Sequence, residues 1–199
     1  MNIMNVNRTQ TTFADTHESV SWRINYKNSQ IRFLVPQRNL VARPFRNIQG
    51  TFKAYTGLMQ TRSAGFTDAA IDFSVIINSI NTGNARRDKH LTSANFFDVE
   101  QFPVIRFRGV SIEKANDNSY RVEGDCTIRG ITRRLGFDAI HQGNRENEMG
   151  HTIAAFKIIG KINRHYFGIK SNVFTETFIG KDVTIVLDLE FVQMDIRVW

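Results

Sequence analysis

Ile71-Asp72-Phe73-Ser74-Val75-Ile76-Ile77-Asn78 sets the period for the whole chain. Ile71, Phe73, Val75 and Ile77 alternate with Asp72, Ser74, Ile76 and Asn78. Successive side chains of an extended backbone point to opposite faces, so this stretch reads as a strand with one dry and one wet face. The same alternation recurs on both sides of it. Ile31, Phe33 and Val35 alternate with Gln30, Arg32 and Leu34, and Ile105 and Phe107 with Arg106 and Arg108. Val122 and Ile128 share a face, as do Leu135, Phe137 and Ala139. Ala154, Phe156, Ile158 and Ile162 alternate with Lys157 and Lys161. Val183, Ile185, Leu187 and Leu189 alternate with Thr184, Asp188 and Glu190. Parallel strands, covered on both faces, read as continuous apolar runs; this pattern predicts antiparallel pairing. Turn formers fall between the runs: Lys27-Asn28-Ser29, Thr56-Gly57, Asn116-Asp117-Asn118, Arg129-Gly130, Gln142-Gly143-Asn144 and Ile179-Gly180. Pro36, Pro44 and Pro103 fall at strand edges or in loops. Short strands at regular intervals predict a barrel or a sandwich.

Composition adds a cavity to that expectation. The 199 residues suit one domain, and 41% hydrophobic against 23% charged residues is enough for a packed core. Phe is in surplus, 16 against 4 Tyr and 2 Trp. Phe carries large apolar area without a polar handle, so the surplus is available to line an interior space. The net charge of +7 favours solubility and anionic partners. Lys and Arg are dispersed, with no run longer than Arg86-Arg87 or Arg133-Arg134, and no recognition motif accompanies them, so no nucleic-acid partner is expected. Cys126, the one cysteine, shares a face with Val122 and Ile128 and reads as a small buried hydrophobe. His17, His141, His151 and His165 are scattered without ligand spacing, so no metal is expected. Residues 1–20 are rich in Asn, Thr and Gln, which predicts a flexible tail. The N-terminal stretch lacks a leader's apolar segment, and no run is long enough to span a membrane. The expectation is a soluble, cytoplasmic protein without stable membrane insertion.

One segment breaks the two-residue rhythm. Asn81 to Phe97 starts polar, offers helix N-caps at Asn81 and Asn84, and then places Leu91, Ala94 and Phe97 at helical spacing. This predicts a short helical lid near residues 84–97 over one mouth of the barrel.

Several stretches, in order, carry a family resemblance. They are Gly50-Thr51-Phe52-Lys53-Ala54-Tyr55-Thr56-Gly57; Arg87-Asp88-Lys89-His90-Leu91 with Phe96-Phe97-Asp98 and Phe102-Pro103; Val122-Glu123-Gly124 with Thr127-Ile128-Arg129-Gly130; Ala154-Ala155-Phe156 with Asn163-Arg164-His165-Tyr166-Phe167-Gly168; and Ile179-Gly180 through Glu190. Together they resemble the YceI-like family of lipocalin-type polyisoprenoid-binding proteins. The resemblance implies an all-β fold: an extended eight-stranded antiparallel lipocalin-like barrel over residues 21–192, with residues 193–199 as a C-terminal extension. It also implies a hydrophobic tunnel holding a polyprenyl chain or a related long-chain amphiphile, without a cofactor. Homodimerisation is a further expectation from the family, and the apolar end at Met194–Trp199 is available for docking. Two departures stand out. Members often carry a His shortly after the strand matching Ile31–Val35; here Pro36-Gln37-Arg38 follows, and no His occurs between Ile31 and Gly50. The connection from Val35 to Gly50 is also longer and contains Arg38, Arg43 and Arg46. A head-group contact is therefore expected to be lost or replaced. Many members are periplasmic, whereas this sequence shows no export signal.

Phase places Phe33, Val35, Phe52, Phe73, Val75, Phe107, Phe137 and Phe156 on the tunnel wall. Arg87, Asp88 and His90 are expected at the mouth, around a head group; for Arg87 and Asp88 the competing reading is a pair that caps the helix. Phe96-Phe97 and Phe102-Pro103 read either as an apolar gate or as lid packing, and Arg164 as a turn or rim residue with a salt link. The expected function is binding of a polyisoprenoid, prenyl quinone or fatty-acid derivative for storage or transport. Two alternatives stand beside it: an enzyme at the barrel mouth with His90 and Asp88 as acid and base, and a ligand-free structural or stress-response protein. No nucleophile-base-orienter set is visible, so no catalytic residue is assigned.

Overall fold

A computed structural model describes residues 19–37, 46–62, 65–170 and 179–194. β1 (Val20–Ile24) and β2 (Gln30–Gln37) lie end to end along one edge of β11 (Asp182–Met194). β3 (Arg46–Phe52) and β4 (Tyr55–Thr61) return beside them, β3 on β2 and β4 on β1. β5 (Ala70–Ile76) pairs with β4; after a 3-10 turn at Ile77–Ser79, β6 (Ile80–Asn81) pairs with β3. Each of these three pairs is one barrel strand broken in the middle. β7 (Val104–Lys114), β8 (Ser119–Ile128), β9 (Ile131–Glu146) and β10 (Thr152–Asn163) complete the ring, and β11 closes it onto β1 and β2. The result is a closed eight-stranded antiparallel barrel with one short helix. Among the described strands, closure pairs every one on both edges except the two-residue β6, which removes the long edges that template aggregation.

Alternation decides what fills the interior. Phe73 and Val75 of β5 are buried, whereas Ile76, out of phase in the opening stretch, is exposed on the outer face. Tyr120, Val122, Cys126 and Ile128 of β8 are all buried. Burial pushes the Cys126 thiol up to about 12, which keeps it protonated and unreactive.

Two predicted turns are strand interior. Thr56-Gly57 lies inside β4, where Gly57 faces Phe73 of β5; a Cβ on Gly57 would come within 2.8 Å of that ring. Gln142-Gly143-Asn144 lies inside β9, beside a register shift against Ala155 and Phe156, and Gly143 has φ of 105°. These glycines provide space and a bulge rather than a chain reversal. Arg129-Gly130 is a true two-residue hairpin turn, with both φ values positive as a type I′ turn requires.

Glu190 holds the break between β1 and β2. Its carboxylate accepts from Arg145 Nη2 at 2.7 Å, Asn28 Nδ2 at 2.9 Å and Asn25 Nδ2 at 3.2 Å. Its backbone is tied to the same excursion, through Asn25 N to Glu190 O at 2.8 Å and Glu190 N to Ser29 Oγ at 2.9 Å. Two residues earlier on β11, Arg32 and Lys157 both pair with Asp188.

The lid helix is shorter than its predicted stretch. α1 spans Ala85–Thr92, capped by the Asn84 side chain accepting from Arg87 N at 3.0 Å. Thr92 Oγ1 turns back onto the Asp88 and Lys89 carbonyls, and tight turns follow in which Asp98 has φ of 53°. Ala94 and Phe97 therefore lie past the helix, in the turns of the lid. Asn81, the other predicted cap, instead accepts from Gly83 N. Residues 1–18 of the predicted tail, Arg38, Arg43, Pro44 and residues 195–199 lie outside the described residues, as does the Arg46 side chain, whereas Val20, placed in the predicted tail, is the first residue of β1.

Candidate functional site

The barrel encloses two cavities in line. The inner one, about 160 Å³, is lined by apolar and aromatic residues from Ile31 to Phe191, with no charged or amide side chain among the described residues. The outer one, about 510 Å³, opens beneath α1 and lies within the roughly 300–1,000 Å³ of small-molecule sites. Phe52, Ile105, Ile128, Ile162 and Ile185 line both and form the waist between them. Phe33 and Val35 line the outer chamber, Phe52 the waist, and Phe73, Val75, Phe107, Phe137 and Phe156 the inner chamber.

Four of these rings lie directly over glycines on a neighbouring strand. Added Cβ atoms would come within 2.4 Å of Phe33 at Gly50, 2.8 Å of Phe73 at Gly57, 2.3 Å of Phe107 at Gly124 and 2.3 Å of Phe137 at Gly160. Each missing side chain lets a ring lie close to the wall, leaving the axis open. Glycine inside a strand signals such close approach; this signal was present in the sequence.

The far end is packed with rings. Phe66, buried with φ of 58°, sits 5.1 Å from both the Phe156 and His141 rings, 5.9 Å from Trp22 and 6.5 Å from Tyr120. Phe191 adds a further contact to Phe156 at 6.2 Å. These tilted and edge-on contacts give the inner chamber an aromatic floor.

The mouth is polar. Gln37, Asn84, Arg86, Arg87, His90 and Arg164 line the outer chamber together with Leu91, Phe96 and Phe97 from the lid. Arg87 and Asp88 converge on Thr82. Asp88 Oδ1 accepts from Thr82 N at 3.0 Å and from Thr82 Oγ1 at 2.6 Å, while Arg87 donates Nε to Thr82 Oγ1 at 2.8 Å and Nη2 to Thr82 O at 2.9 Å. Arg87 therefore anchors the lid and still faces the chamber, whereas Asp88 is turned away from the cavity lining. His90 is exposed and lies 6.0 Å from the Phe96 ring. Phe102 is set apart from Phe96 and Phe97: its ring covers the turn at Gly130.

Arg164 is more than a rim residue. It is buried and lines the outer chamber, and its guanidinium donates to the carbonyls of Ile169 at 3.0 Å, Gly180 at 3.1 Å and Ile179 at 3.1 Å. The fork thus fastens the segment after β10 to the start of β11. It sits in a 3-10 turn capped by Asn163 and ended by left-handed Gly168; this Asn-x-x-x-x-Gly punctuation is the sequence signal for the buried Phe167 beside it. Gln37, the last residue of β2, is bridged to Ile179 and lines the outer chamber.

Residues 22–191 match the YceI-like domain. The chain belongs to the YceI-like family. A UPF0312 protein of Pseudomonas putida is 31% identical over 138 residues, which cover 69% of this chain and 72% of that one. A UPF0312 protein of Staphylococcus aureus is 33% identical over 148 residues, covering 72% and 84%. Among solved structures, Burkholderia cenocepacia BcnA superposes with a TM-score of 0.71 at 18% identity, covering 84% of this chain and 98% of that one. A Campylobacter jejuni YceI protein gives 0.69 at 21%, covering 98% and 100%. A polyisoprenoid-binding domain from Saccharophagus degradans, implicated in plant cell wall breakdown, gives 0.67 at 13%, covering 88% and 99%. At these identities the structural likeness is one of fold.

Proposed function

We propose that this YceI-like chain is a carrier that stores or transports a long-chain amphiphile, its tail in the barrel and its head group under the lid. The observation that carries this reading is the gradient along the tunnel: a polar mouth, an apolar waist and an aromatic far end. Each methylene moved from water into such walls contributes about 0.8 kcal/mol, so affinity grows with every carbon that the tunnel admits. Polyisoprenoids, prenyl quinones and fatty-acid derivatives share the required shape. The wall and mouth residues named above are the proposed contacts, with Asp88 acting through Thr82 rather than on the ligand.

An acid–base pair of His90 and Asp88 finds no support in the geometry. Residues two apart on a helix point to different sides, and the Asp88 carboxylate accepts from Thr82. A barrel filled by its own side chains is disfavoured by the two cavities. Native mass spectrometry of freshly purified protein, paired with organic extraction, is expected to show a co-purified long-chain lipid. A clean unliganded mass, with no uptake of prenyl or fatty-acyl compounds, would overturn the proposal.

A further inference from the structure

The outer chamber has an unbalanced lining. Arg86, Arg87 and Arg164 face it, with His90 beside them, and no Asp or Glu is among its described lining residues. Asp88, the nearest acid in sequence, is held by Thr82 away from the chamber. Arg87 is set in place before any ligand arrives, because two of its N–H groups are fixed on Thr82. Guanidinium offers five donors in a planar fork, so others remain for a second partner, and the rotamer entropy of holding it is already lost. Low-dielectric walls below the rim focus the field of these cations into the opening. A planar fork fits carboxylate and phosphate oxygens in pairs and has no comparable match in an alcohol or a quinone carbonyl.

We propose that the mouth selects amphiphiles with an anionic head group, a carboxylate or a phosphate monoester, and that Arg86 and Arg87 contact that anion while Gln37 and His90 border it. This inference rests on the carrier reading and narrows it. The chain-length selectivity of the tunnel is untouched by it; only the head group is assigned.

Matched chains separate the two ideas. Delipidated full-length protein is titrated calorimetrically with oleate against oleyl alcohol, and with geranylgeranyl phosphate against geranylgeraniol. At least one anion is expected to bind about tenfold more tightly than its alcohol. The Arg86→Gln/Arg87→Gln double variant is expected to lose that advantage; because Arg87 also anchors the lid, both affinities fall, the anion's much further, and residual alcohol binding shows that the barrel remains folded. Arg86→Gln alone, on the exposed rim, is expected to lose part of it. Lys114→Gln removes a charge from the opposite end of the barrel and is expected to change neither affinity. Preference for oleate alone identifies a fatty acid, and preference for the phosphate alone a prenyl phosphate; either supports the anion site. Equal binding of anion and alcohol, or equal loss of both in Arg86→Gln and in the double variant, overturns it while leaving the carrier intact. Failure of all four ligands to bind overturns both.

Discussion

The two ends of the tunnel are built on opposite principles. At the far end, Phe66, Trp22, Tyr120, Phe156 and Phe191 contact one another through ring faces and edges, and the described lining of the inner chamber has no charged side chain. At the mouth, a short helix is fastened through one threonine, Thr82, and presents Arg86, Arg87 and His90 to the chamber. The far end is held by area, the mouth by a few directed bonds. Stability is thus expected to reside in the floor, and selectivity and exchange in the rim.

The largest expected effect tests the floor. Phe66→Ala removes a ring with several aromatic neighbours and should cost about 3–5 kcal/mol in urea unfolding. Phe96→Ala, in the half-buried lid, should cost less than half as much while altering lipid retention. Equal losses would erase the distinction between floor and rim.

Glycines sharpen the comparison. Gly124 provides room: a Cβ there would come within 2.3 Å of Phe107 Cζ and 2.5 Å of the Arg108 carbonyl, and backbone cannot swing aside. Gly83 provides a dihedral: its φ is 72°, and nothing lies within 4 Å of its missing Cβ. Gly124→Ala should cost about 1–3 kcal/mol and narrow the tunnel. Gly83→Ala should cost about 1 kcal/mol, and Gly83→Asn should recover most of that because Asn tolerates the left-handed region. Thermal melts of the three variants decide it; a rescue of Gly124 by Asn would contradict the steric account.

This contrast also explains what was legible in the sequence. Period-two alternation is a direct trace of a barrel wall, so the strands and the eight wall positions could be read in phase. Thr56-Gly57 and Gln142-Gly143-Asn144 were misread because glycine marks turns, close ring contacts and bulges alike: Gly57 makes room for the Phe73 ring, and Gly143 supplies a positive φ at a register shift. The mouth was legible in composition but not in orientation. Adjacent Arg87 and Asp88 look equivalent on paper, yet Thr82 draws the carboxylate away and leaves the guanidinium facing the cavity. Arg164 was read only as a turn or rim residue and the burial of Phe167 was not read at all, because a short 3-10 turn has no repeating period and only Asn163 and Gly168 punctuate it.

Acid should loosen the seam near the far end. Burial alone would raise the Glu190 carboxyl, but hydrogen bonds from Arg145, Asn28 and Asn25 and the Arg145 charge outweigh it, and Glu190 titrates below its ordinary value. Asp188 is likewise lowered: burial opposes ionisation, and Lys157 and Arg32 outweigh it. For a carboxylate with a depressed folded pKa, the stabilisation is fully present above the unfolded value, near 4, and is lost as pH falls through the folded value. Wild-type stability is expected to drop below about pH 4. Glu190→Gln should be less stable at pH 7 and show a shallower acid slope. An unchanged slope would show that the break between β1 and β2 does not depend on this carboxylate.

The smallest change in global stability is expected from the rim, with the clearest change in kinetics. Thr82→Val keeps the shape of the side chain and removes the hydroxyl that donates to Asp88 and accepts from Arg87. Each bond is worth about 1 kcal/mol, yet the lid can open without unfolding the barrel, so little of that loss should appear in the global melt. It should appear instead as faster amide exchange across Ala85–Thr92 and faster lipid release, with exchange in β8 and β9 unchanged. Slower or unaltered exchange in the lid, together with a fall in global stability, would mean that Thr82 supports the barrel rather than the rim. The mouth would then be continuous with the floor rather than a separately held gate.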